Sequence, residues 1–191
     1  YRGDVPLRGQ LLFELGERLR GLSNFARANA LFDESEPLLR QSANVPTLAR
    51  LLCLRARDAV FDGAAPRAHA LLAEAETLLA ASDRPVVRPI RAACRLEAAA
   101  VARILGDMPR AVAAAEEARQ LELAGGLGHT ESHAETLNAL GRAYFQAGRY
   151  RDAADTTRGT VESVPLAIWD RIMAVNLRAP LVLIQAALPH L

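Results

Sequence analysis

Lysine is absent from this 191-residue chain, so its 23 basic side chains are all arginine, and 22 acidic residues bring the formal net charge to +1. A balanced charge gives no electrostatic footprint for direct nucleic-acid binding or for a membrane surface. Cysteine is nearly absent too: Cys53 and Cys94 stand 41 residues apart without a Cys-x-x-Cys partner. Neither a disulfide framework nor a zinc ribbon is expected from them, and both read as reduced, buried, small apolar residues. Apolar runs are short; Leu181 to Ile184 and Ala98 to Ala102 fall far below the roughly 20 residues a membrane helix needs. The sequence opens at Tyr1 with no basic segment leading into an apolar one, which reads as a cut within a longer protein and leaves cytoplasmic as the default location.

Alanine and leucine fill the space these absences leave, 68 of the 191 positions together. They are the residues helices tolerate best, so an all-α protein is expected. Apolar residues at i, i+3, i+4 and i+7 predict helices over 8–21, 25–41, 46–61, 66–81, 87–105, 108–124, 130–147 and 150–162. Pro46, Pro66, Pro89 and Pro109 fall at or near first turns, where a missing N–H costs little. Ser82-Asp83-Arg84-Pro85 and Gly125-Gly126-Leu127-Gly128 are breaks. Strand content should be near zero.

The helices recur in pairs. Leu140-Gly141, Tyr144, Gly148, Tyr150, Ala153 and Pro165 set a register that reappears upstream. Gly106, Met108, Ala111 and Ala118 match it 42 residues earlier, and Gly63, Pro66-Arg67-Ala68 and Ala75 match it a further 43 earlier. Another 40 residues back lie Leu15-Gly16, Phe25, Ala28 and Phe32, with Ser23-Asn24 where the other units have a turn glycine. This spacing of small and aromatic residues resembles the tetratricopeptide consensus. There the small residue lets paired helices approach, the glycine permits the turn, and the aromatic after it plugs the gap between helices. Units of 40 to 43 residues exceed the usual 34. Longer Ala-, Leu- and Arg-rich units with phrases such as Ile104-Leu105-Gly106-Asp107-Met108-Pro109-Arg110-Ala111 resemble the helical arms of large ATP-binding LuxR-type bacterial transcriptional regulators. That resemblance implies a right-handed α-α superhelix of about four hairpins (near 9–48, 49–91, 92–133 and 134–167) serving as a sensor or scaffold for a protein, peptide or small effector. Neither a P-loop nor a DNA-reading helix-turn-helix occurs in the chain.

First helices of stacked hairpins line a concave side. In this register they carry Gln10, Phe13, Glu17 and Arg20; Arg50, Cys53, Arg57 and Phe61; Leu96, Ala100, Arg103 and Ile104; and Asn138, Arg142, Phe145 and Gln146. Candidate partner-binding residues are Arg50, Arg57, Phe61, Arg103, Asn138, Arg142 and Phe145. Arginine favours planar bidentate contact with carboxylates, so an acidic segment or a free C-terminus is the partner this face suggests. Solvated surface is the other reading of the same arginines, and filling of the groove by the chain's own C-terminal segment is a third. His129 and His133, four apart near Glu131 and Glu135, lack the His-Glu-x-x-His order and a third ligand, so they read as a solvated helix start and no metal is expected. Arg2-Gly3-Asp4 reads as a chance tripeptide.

Beyond the repeat domain of residues 1–161, the stretch 162–191 changes character. Trp169-Asp170, Val175-Asn176-Leu177 and Ala186-Ala187-Leu188-Pro189-His190 resemble an internal fragment of the short-chain dehydrogenases, in which this stretch forms a helix at the dimer interface and Asn176 matches a catalytic-site Asn. A Gly-rich phosphate turn and an Asn-Asn-Ala-Gly phrase are missing, and a Tyr-x-x-x-Lys pair is impossible without lysine. No catalytic residue and no cofactor are therefore expected. The extension reads as a helix capping the apolar end of the last unit, through Trp169, Ile172, Val175, Leu177, Val182 and Ile184. An accessory arm of a dehydrogenase-related oxidoreductase is the alternative, and homodimerisation through this helix is a further expectation.

Overall fold

Helix starts are set by short polar side chains. Asp4, Asn24, Asn44, Asp107 and Thr130 each accept a hydrogen bond from the backbone N–H three residues on, satisfying a donor the helix itself cannot. A proline at the first or second position follows three of these caps and also opens the two helices without a side-chain cap, at Ala64 and Val87. The computed structural model describes residues 4–81, 87–128 and 130–163, with side chains through Thr156. Among the described residues it is all helical: α1 (Val5–Gly21), α2 (Phe25–Gln41), α3 (Val45–Phe61), α4 (Ala65–Ala80), α5 (Arg88–Ile104), α6 (Met108–Ala124), α7 (Glu131–Gln146) and α8 (Tyr150–Ser163). Each boundary lies within a residue of the apolar periodicity except the start of α1, which Asp4 and Pro6 bring three residues earlier. The extension 164–191, the break at 82–85 and His129 lie outside the described residues.

Helix ends repeat one geometry. The N–H groups of Asn24, Asn44, Ala64, Asp107, Leu127 and Arg149 donate to the carbonyls of Leu19, Leu39, Ala59, Ala102, Glu122 and Tyr144, five residues back in every case. This is the Schellman closure, which places the residue before each donor in the left-handed region. Glycine occupies that place at four of the six ends, whereas Ser23 (φ 60°) and Ala43 (φ 52°) hold it at the cost of a Cβ clash. Replacing Ser23 or Ala43 with Gly is expected to raise unfolding stability by about 1 kcal/mol each, measured by urea titration. An unchanged midpoint in both variants would remove the strain argument.

Three-residue turns fold the helices into hairpins, α1 on α2, α3 on α4, α5 on α6 and α7 on α8, which follow one another in chain order. Glycine and alanine let the pairs come close. A Cβ at Gly16 would lie 2.5 Å from the Phe32 ring, which is fully buried and stacked on Phe13 at 5.8 Å between centroids. Phe13, Phe32, Leu39, Leu51 and Leu52 centre the core of the first two hairpins, and the last two close over Ala111, Ala115, Leu140, Ala143 and Tyr144. The junctions differ. The second and third hairpins meet mainly through α3 and α5, with α4 only grazing α5, whereas the third and fourth meet through α6 and α7.

Two expectations are corrected here. Cys53 and Cys94 are not free thiols but a disulfide joining α3 to α5, with Cα atoms 5.3 Å apart. Their separation of 41 residues is close to one unit of the repeat, so both fall mid-helix on successive first helices that pack together. His133 is not at a solvated helix start: it is buried against α6, its Nδ1 2.9 Å from Glu122 Oε2. Glu122, itself 2% exposed, also accepts from Ser132 Oγ at 2.7 Å and Thr136 Oγ1 at 3.1 Å. Three side chains of α7 thus converge on one carboxylate of α6.

Candidate functional site

The stripe predicted along the first helices divides into two regions with different chemistry. On α1, α3 and α5 it is a lattice of internal ion pairs. Arg50 places Nε 3.1 Å from Glu17 and Nη1 3.2 Å from Glu97, whose other oxygen is 3.0 Å from Arg57. Arg20 grips Asp58 with two bonds of 2.7 Å and is buried rather than lining an open face; Phe13 is buried as well. Glu97 is 5% exposed, so two guanidinium groups neutralise a carboxylate already out of water. Arg50 and Arg57 therefore tie one hairpin to the next through ion pairs to Glu17 and Glu97. Glu97 and Asp58 had no sequence signature, because their partners lie 47 and 38 positions away.

On α7 and α8 the stripe is open. Asn138, Arg142 and Phe145 follow one face of α7 at spacings of four and three and line a cavity of about 450 Å³ with Tyr150 and Ala153 of α8. Phe145 and Tyr150 are mostly exposed and meet edge to face at 5.3 Å between ring centroids. Tyr150 was expected to plug the gap between paired helices; the turn at Gly148 instead leaves it beside Phe145 at the cavity wall. Arg142 is exposed, and among the described residues neither it nor Arg103 has an ion-pair partner. Phe61 is 70% exposed at the end of α3, and Arg103 is half-buried on α5; neither lines this cavity. The structure thus brings Asn138, Arg142 and Phe145 together, assembles Arg50 and Arg57 around Glu97, and leaves Phe61 and Arg103 outside both groups.

The cavity is held from behind. Tyr144, one residue before Phe145, donates its hydroxyl to Glu116 of α6, and the Arg149 guanidinium lies 4.4 Å above its ring. Burial, followed by the bond to Glu116, pushes the Tyr144 hydroxyl up to about 12. The folded state therefore binds this proton more tightly than the unfolded chain does. The resulting stabilisation is complete below pH 10 and is lost as pH rises from about 10 to about 12. Urea midpoints for Tyr144→Phe should show a smaller fall across that window than the parent, and parallel curves would count against the linkage. Toward the start of α7, Glu135 is pushed upward by desolvation and by Glu131, with Arg50 opposing.

Among the described residues, no group of three or more His, Cys, Asp or Glu is arranged to hold a metal ion, and no helix is long and apolar enough to cross a membrane. What the α7–α8 surface offers is a planar cation, an amide and two aromatic walls. Comparison with known proteins adds no identity, since no protein-family model matches the chain and a search of curated proteins finds no significant match.

Proposed function

We propose that this chain is a non-catalytic protein-interaction or regulatory sensor module, the tetratricopeptide-like arm of a larger cytoplasmic bacterial transcriptional regulator. On this reading residues 1–161 are a right-handed superhelical array and 162–191 its helical extension. The partner is a peptide or protein segment that presents a carboxylate, acidic or C-terminal, beside an apolar residue. The observation that carries the proposal is the convergence of exposed Arg142 and Asn138 with the Phe145–Tyr150 pair around one cavity. An exposed guanidinium pairs a carboxylate bidentately, and the two rings supply apolar contact area at low entropic cost. Arg50 and Arg57 support the site by fixing the hairpins below it.

The test is fluorescence polarisation against a panel of labelled peptides ending in Asp-Phe, Glu-Leu or Asp-Leu with a free C-terminus, each paired with its C-terminal amide. At least one free-acid peptide should bind, weaken about tenfold or more as the amide, and weaken similarly with Arg142→Glu, since losing one charge-assisted contact costs roughly 1.5–3 kcal/mol. Arg57→Glu should leave the affinity unchanged where the fold is retained. Equal binding by the parent and Arg142→Glu, or no binding across the panel, would overturn the proposal.

A further inference from the structure

A second cavity among the described residues has the Cys53–Cys94 disulfide in its lining. Because the second and third hairpins meet through α3 and α5 while α4 stands off from α5, a cleft of about 720 Å³ remains between α4 and α6. Leu72, Leu79 and Leu121 form its walls, and Cys53 and Cys94 lie in its lining. Arg95 spans the cleft as a strap, ion-paired to Glu76 of α4 and, at 2.9 Å, to Glu117 of α6. Arg91 donates to the Leu79 carbonyl at 2.6 Å. The two arginines and two glutamates of the lining balance in charge.

We propose that this cleft is a thiol–disulfide exchange site, in which a low-molecular-weight thiol opens the Cys53–Cys94 bond. Cys94 is the less buried residue of the pair, 6% exposed against 1% for Cys53, and in this proposal its sulfur takes the attack. The incoming thiolate bonds to Cys94 Sγ, the Cys53–Cys94 bond breaks, and Cys53 leaves as a thiolate that takes up a proton. A second thiol attacks the sulfur of the first, departs with it as a symmetric disulfide, and leaves Cys94 as a thiol. Two small thiols are thereby oxidised and the two cysteines gain two electrons. A thiol carried on a protein surface stops at the rim, because both cysteines lie beneath helices α4 and α6; the cleft selects small reductants. Opening the bond releases the covalent tie at the junction that α4 does little to reinforce. This site is separate from the α7–α8 cavity, so either proposal can fail alone.

The test uses the oxidised full chain and reduced glutathione, with reaction progress followed by alkylation and intact mass. Reduction through the cleft should be first order in glutathione, insensitive to urea well below the unfolding transition, and at least tenfold slower in Gln120→Trp, which narrows the exposed rim, and in Ala98→Trp, which fills the interior. Unchanged circular dichroism and urea midpoint qualify each variant for comparison, and the Gln120 position is exposed enough to keep one of them folded. A glutathione adduct trapped on Cys94 is expected on the path. Reduction that accelerates with urea in step with unfolding, or that proceeds equally fast in the folded tryptophan variants, would overturn the proposal, because the thiol would then be reaching the bond only through the unfolded chain.

Discussion

Reduction of Cys53–Cys94, or its replacement in a Cys53→Ser, Cys94→Ser double variant, is expected to lower the melting temperature by about 10 °C. The closed loop spans 41 residues, and the chain-entropy relation for a loop of that length gives about 4 kcal/mol. A domain of 150 to 250 residues loses roughly 2–4 °C per kcal/mol, which sets the size of the shift. Most of the effect arises in the unfolded chain, which regains the conformations the cross-link had removed. The folded state keeps the apolar contacts of α3 with α5 in either redox form. Differential scanning calorimetry with and without reductant checks this, and identical midpoints would mean that the bond contributes nothing to the fold. The double variant, in turn, should melt alike in both conditions.

The second large effect is expected at Glu122. Glu122→Ala should cost about 3–5 kcal/mol by urea denaturation, near the top of the range for single substitutions. The carboxylate is 2% exposed and is held by His133, Thr136 and Ser132, all on α7. Removing it leaves His133 and Thr136 buried with a donor each unpaired, and such groups cost far more than the bond was worth when made. Ser132 is exposed and recovers a bond from water. Glu122→Gln, which keeps the shape and one acceptor, should cost markedly less. A loss below about 1 kcal/mol in Glu122→Ala would show that this buried polar cluster does little to hold the third and fourth hairpins together.

Local signals carried the helices into view and failed where two distant segments had to meet. Apolar periodicity, prolines at first turns and turn glycines all act within a few residues, so the eight helices and their turns were legible. The disulfide was misread because a lone cysteine pair has no local mark; its only trace is a separation close to one repeat unit. Arg20–Asp58 and Arg50–Glu97 depend on the rotation of one helix against another, which one-dimensional periodicity leaves open to about a residue. For that reason Arg50 and Arg57 read as free anchors when they are structural, whereas Arg142, at the far end of the fold, was read as exposed and is. His133 falls under the same limit: local spacing relates it to His129, whereas its partner lies 11 residues upstream across a turn.

The turns of the second and third hairpins have one more consequence, for tolerance to added sequence. At Gly63 and Gly106 a Cβ would meet no atom within 4 Å, so a substitution there is penalised by backbone geometry alone, never by crowding. Lengthening such a turn touches no core side chain, and the entropy of closing a longer loop grows only with the logarithm of its length. Both turns are therefore natural acceptors for inserted segments, whether an epitope, a circularly permuted terminus or a whole reporter domain, with the helices on either side left to pack as before.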